Sequence, residues 1–127
     1  MEANTNAINW FEIPVSDMPR ARHFYQVVFS IHMHESNMNG IEMAFFPFEM
    51  GNGKLSGALA KSPFHIPAAE GTVVYVNANP DLNEALEKVP AVGGEILMNK
   101  TLITPEIGYM AFFKDTEGNR VGLHSQG

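Results

Sequence analysis

Hydrophobic and polar positions along the chain follow two periods, and the switches between them mark out its elements. Residues 8–15, INWFEIPV, read as a strand with one acid, Glu12, inside an apolar run. Ser16 and Asp17 then offer N-cap oxygens, and Pro19 suits a first helical turn. Ala21, Phe24, Tyr25, Val28 and Phe29 recur at helical spacing, which predicts a helix over 18–29. Strand-like runs follow at about 31–37, 41–48 and 54–60, divided by the turn sequences NMNG and EMGNGK. Pro47 places the middle run at a sheet edge or ends it.

The order then repeats. GTVVYVNA reads as a strand rich in β-branched residues. NPDLNEALEKV reads as a helix, with Asn79 as cap, Pro80 in the first turn, and Leu82, Ala85, Leu86 and Val89 as its apolar stripe. GGEILMNKT, YMAFFKD and NRVGLHS are further strands, and DTEGN is the last hairpin turn, where Gly118 or Asn119 takes a positive φ. The chain is therefore read as α+β, one domain of tandem βαβββ modules: the first at 7–61, a proline-bearing linker at 62–70, and the second at 71–126. One helix per module covers one sheet face, so the other stays bare unless the sheets curve around it. Paired modules would form a curved, half-open barrel with helices outside and a cup between them, a natural ligand site.

Composition narrows the functions. With 45% hydrophobic and 17% charged residues, the 127-residue chain can build a core. Its net charge of −6 and scattered basic residues argue against a nucleic-acid surface. Arg20 and Arg22 are close, but both fall on the first helix, where they read as a solvated face. The absence of cysteine excludes disulfides, thiolate metal sites and a cysteine nucleophile. MEANTNAINW lacks the features of a signal peptide, and no apolar run approaches the roughly 18 residues of a membrane span. A cytoplasmic protein with no membrane partner is expected.

Three segments carry a resemblance: IPVSDMPRARHFYQVVF, VYVNANPDLNEALEKVPAVGGEI and GYMAFFKDTEGNRVGLHS. Together they resemble the vicinal oxygen chelate superfamily, which includes glyoxalase I, bleomycin-resistance proteins, fosfomycin-resistance enzymes and extradiol dioxygenases. FFKDTEGNRVGL is the most specific piece. The resemblance implies a homodimer and, in the superfamily's enzymes, a divalent metal held by His, Glu or Gln on inward-facing strands. By that resemblance the first-module histidine falls at Trp10, the second-module histidine at Thr72 and the closing-strand glutamate at Gly122. The first module's closing strand, LSGALAK, holds no Glu, Gln or His. Indole N–H is only a donor, glycine has no side chain and a lone hydroxyl is a poor ligand, so no metal or other cofactor is expected.

Alternation places Trp10 and Glu12 on one face, and Gly122 and His124 on one face. Glu12 and His124 then point into the cup together, as a displaced half-site for a divalent metal or as an acid–base pair. Two ligands fall short of a firm metal site. Solvent-facing readings stand beside both, as they do for His32 and His34 on the second strand, for His65 in the linker and for His23 on the helix. Trp10, Phe46, Phe48, Phe64, Met110 and Phe112 complete an apolar lining together with Thr72 and Gly122. Two functions follow. One is a module that binds a small organic molecule in the cup, with the acidic balance favouring a cation stacked on Trp10. The other is a lyase or isomerase acting on a small oxygenated metabolite, with Glu12 as general base and His124 as its partner.

Overall fold

The structure, a computed structural model, describes residues 1–127. Strand β1 (Trp10–Pro14) leads into helix α1 (Met18–Phe29), then β2 (His34–Met38), β3 (Ile41–Phe45) and β4 (Ser56–Lys61). The second module repeats the plan with β5 (Tyr75–Asn77), helix α2 (Asn83–Leu86), β6 (Glu95–Thr104), β7 (Gly108–Lys114) and β8 (Arg120–Ser125). The first sheet has the order β1-β4-β3-β2 and the second β5-β8-β7-β6, so each opening strand pairs in parallel with its module's closing strand. The α+β class and the tandem βαβββ plan are as expected. The sheets remain two separate ladders rather than a closed barrel.

Helix α1 spans the residues its stripe predicts, because its ends are chemically defined. Asp17 accepts a hydrogen bond from the Arg20 backbone N–H at 3.1 Å, and Ser30 takes a left-handed conformation (φ 53°) at the other end. Helix α2 is shorter than the expected 79–89. Asp81 Oδ1 accepts from the Asn83 N–H, so the helix starts after Asp81. Pro90 then ends the run in a short 3-10 turn, Pro90–Val92. Asn79, expected as the cap, instead accepts from the Gln126 N–H at 2.7 Å.

Helix α1 belongs to the first module but packs against the second as well. Phe24 lies 5.7 Å from Phe113 of β7, and a single core of 20 buried residues draws on both modules. Polar groups fix the same junction. Asp115, 3% exposed, begins the β7–β8 turn, and its carboxylate accepts from the backbone N–H groups of Glu117 and Asn119. It also accepts from the Tyr25 hydroxyl at 2.7 Å and the Asn119 amide at 3.0 Å. The same Asn119 amide donates to the Pro14 carbonyl, and its oxygen accepts from the Ala68 N–H in the linker. Gly118 takes the positive φ (+91°) that the turn requires.

One residue away, Glu117 reaches the start of α1. Its carboxylate accepts from the backbone N–H groups of Ser16 and Asp17, both at 2.8 Å, and from Arg20 Nε at 2.8 Å. Desolvation opposes its charge. The hydrogen bonds from Arg20, Asp17, Ser16 and Thr116 outweigh that and take its pKa from an ordinary 4.5 to about 2. Burial pushes Asp115 the other way, against its hydrogen bonds from Asn119 and Tyr25.

Tyr25→Phe leaves the buried Asp115 carboxylate without one of its donors, and chemical denaturation will show a loss of about 1.5–3 kcal/mol. For Glu117 the folded pKa lies below the unfolded one, so its contribution is complete above about pH 4.5 and is lost as pH falls towards 2. Glu117→Gln flattens the acid limb of the stability profile in that window. At pH 7 it lowers stability by on the order of 2 kcal/mol.

Candidate ligand-binding site

Strand alternation divides each sheet into a helix-covered face and an open one. On β1, Ile13 enters the core while Trp10, Glu12 and Pro14 take the open face. On β8, Val121, Leu123 and Ser125 are buried, which places Arg120, Gly122 and His124 on the open side. Phe112 and Tyr75 join them from β7 and β5, with ring centroids 5.6 Å apart. In the first module, Met43, Ala58 and Ala60 form a small second cluster on this face, packed against Phe45. Residues of β1 and β5 share the walls of the largest cavity, and residues of β1 and β8 those of a small one, which together mark the seam between the sheets.

Glu12 lies on this face at the edge strand β1. Trp10 Nε1 donates to Oε2 at 3.3 Å, and His65 Nε2 lies 2.8 Å from Oε1. A carboxylate only accepts, so Nε2 carries the proton of that bond. His65 Nδ1 lies 2.7 Å from Ser62 Oγ, which completes a chain Ser62–His65–Glu12. Trp10 also sits edge-on to Phe45 and Phe48, at 5.9 and 6.2 Å. Glu12 is thus a held acceptor in an aromatic setting.

The expected pairing of Glu12 with His124 is not what forms. Strand β1 pairs with β4, and β8 pairs with β5 and β7, so no ladder brings the two side chains together. His124 Nε2 instead donates to the Ile107 carbonyl at 2.6 Å. The linker supplies the histidine that strand pairing does not. Its spacing was the available signal, because Ser62 and His65, three apart, bond across a tight turn.

The lining also differs in part. Phe46 turns into the core at 7% exposed, 5.4 Å from Phe11 and 5.7 Å from Tyr25. Strand β3 ends at Phe45 and Pro47 follows, so alternation no longer aligns Phe46 with Phe48. Phe64 projects into solvent at 90% exposed, on a turn held by Ser62. Met110 and Phe112 lie on the open face, as the alternation of β7 requires. Thr72 lines a small cavity of about 50 Å³ with Glu12, Asn119 and Arg120. Alternation from Gly122 and His124 also reaches Arg120, whereas Phe45 and Tyr75 fall on the opposite alternation to the expected Phe46 and Thr72.

The residues at the positions that the resemblance assigns to metal ligands are chemically poor metal donors. Trp10, Thr72 and Gly122 stand at the ligand positions, and no group of three or more His, Cys, Asp or Glu side chains is close enough to hold an ion. At Gly122 the space is also taken, since a Cβ there would fall 2.7 Å from the Tyr75 ring. His32 and His34 are in edge contact at 4.9 Å, with Phe45 and Phe48 bordering the same pocket and no third ligand beside them. The largest cavity, about 690 Å³, lies on the helix side of the seam among Phe11, Phe29, Phe46 and Tyr75. Lys54 is its one charged residue, so the chemistry of the chain is concentrated on the open face instead.

Gly122→Ala forces Tyr75 off the strand and is expected to cost about 1 kcal/mol in urea denaturation. In a Tyr75→Ala background the same change costs less, and the double-mutant cycle measures the difference.

The sequence profile of the Glyoxalase/Bleomycin resistance protein/Dioxygenase superfamily matches residues 7–123. A glyoxylase-like domain-containing protein from Didymella fabae is 30% identical over 115 residues, covering 88% of each chain. Among solved structures, glyoxalase I from Zea mays superposes with a TM-score of 0.70 at 18% identity, covering 94% of this chain and 44% of the maize enzyme. The fosfomycin resistance protein FosX from Listeria monocytogenes gives 0.67 at 17%, covering 98% and 92%. TnmS3, an antibiotic binding protein from Streptomyces sp. CB03234, gives 0.66 at 18%, covering 99% and 100%. At these identities the solved structures speak for the fold, while the profile and the fungal relative speak for the family. The chain belongs to the Glyoxalase/Bleomycin resistance protein/Dioxygenase superfamily.

Proposed function

We propose that the protein binds a small organic molecule on the open face between its modules, without a metal at the family's ligand positions. One observation carries the reading: Glu12 is held by two donors beside aromatic rings that remain part-exposed, with Trp10 at 38% and Phe48 at 49%. Rings left in this state offer area for an apolar ligand to cover, and a fixed acceptor among them gives direction. An antibiotic binding protein on the same fold is a precedent for such a role. A homodimer that covers part of this apolar surface, in the cytoplasm, belongs to the same reading. No helix is long and apolar enough to cross a membrane.

A second reading is supported by the Ser62–His65–Glu12 chain. In a lyase or isomerase, Glu12 takes a proton from a small oxygenated metabolite and His65 orients the carboxylate. His65 takes the place that His124 held in the sequence reading.

Trp10 is the chain's single tryptophan, so its fluorescence reports on this face directly. Screening a metabolite library by that signal is expected to find ligands that are bound and recovered unchanged. Consumption of a ligand, abolished by Glu12→Gln with affinity kept, favours the second reading. Stoichiometric zinc, nickel, manganese or iron in the purified protein overturns the metal-free assignment.

A further inference from the structure

The chain's ion pairs join Arg20 to Glu117, Arg22 to Glu35, His65 to Glu12 and Lys100 to Asp81. Arg120 takes part in none of them. Its guanidinium carbon sits 4.1 Å from the centroid of the Phe112 ring, on the open face. Stacking on an aromatic ring fixes the plane of the guanidinium and leaves its edge N–H donors directed outward. Lys114, directly across the β7–β8 ladder, adds a second cation on the same side. Glu12 shares a small cavity with Arg120 and Thr72, but its oxygens are engaged by His65 and Trp10. The guanidinium is thus oriented and has no carboxylate of its own.

Resting on the binding reading above, we propose that Arg120 anchors a carboxylate of the ligand, and that the ligand is a small aromatic organic acid. Arginine's planar fork matches a carboxylate through two parallel hydrogen bonds. Tyr75, half-exposed and packed on the buried Phe112 ring, offers the adjoining apolar surface for the ligand's ring. The Thr72 hydroxyl, bordering the same cavity as Arg120, is a further donor within the site. The overall charge of −6 favours a cation, but here Arg120, with Lys114 paired across from it, faces one carboxylate, Glu12, whose oxygens His65 and Trp10 already engage. The local arrangement therefore reverses the expectation drawn from composition.

The test titrates the intact protein with 2-naphthoate and, separately, with 2-naphthamide, followed by the NMR shifts of the Gly122 amide, the Trp10 indole and the Arg120 Nε–H. The acid is expected to bind at least about tenfold more tightly than the amide, as a charge-assisted pair implies. Arg120→Gln removes that preference, and Arg120→Lys restores only part of it. Added salt weakens naphthoate but not naphthamide. Equal binding of acid and amide, or naphthoate affinity unchanged in Arg120→Gln, overturns the anchor while leaving the binding face standing. If neither compound shifts these resonances, the binding reading fails together with the anchor.

Discussion

The buried carboxylate of Asp115 is the constraint on which this architecture depends. Alone in the core it would carry a desolvation penalty of several kcal/mol. Its four hydrogen bonds come from the turn that follows it and from α1 of the other module. Asn119 extends the same network to the end of β1 and to the linker. The polar centre of the molecule is therefore at the junction of the modules, beneath the face where the candidate site lies. Glu117 repeats the arrangement on the outside by binding the first turn of α1.

A rigid junction lets the open face change its chemistry. At the positions that the resemblance assigns to metal ligands stand Trp10, Thr72 and Gly122. Tyr75 packs over the glycine, Phe112 packs against Tyr75, and Arg120 stacks on Phe112. Across the seam, Trp10 packs with Phe45 and Phe48 and bonds to Glu12. The open face is built of aromatic surface, with Glu12 and Arg120 bordering one small cavity beside it.

Much of this was legible in the chain, for physical reasons. The stripe of α1, the DTEGN turn and the tandem order of elements are local features, and local features leave periodic or compositional traces. Alternation correctly set Trp10 and Glu12 on the same face. The choice of partner was not legible, because it depends on how the linker folds back. His65 reads as one residue between prolines, and only the folded chain brings it to Glu12. Phe46 turns inward because β3 ends at Phe45, short of the expected run over 41–48. Arg120 was missed because an arginine beside a turn looks like solvated surface until its neighbours show that it has no acid partner.

The placement of Asp115 and Tyr25 in different modules has a consequence for how the protein folds. The second module's own turn supplies three of the four hydrogen bonds to Asp115, Tyr25 of the first module supplies the fourth, and the core under α1 is shared. The internal repeat is thus a repeat of shape and not of stability: the halves form one cooperative unit, not a pair of autonomous subdomains. A chain nicked within the linker would behave as complementary fragments, each largely unstructured until it meets the other.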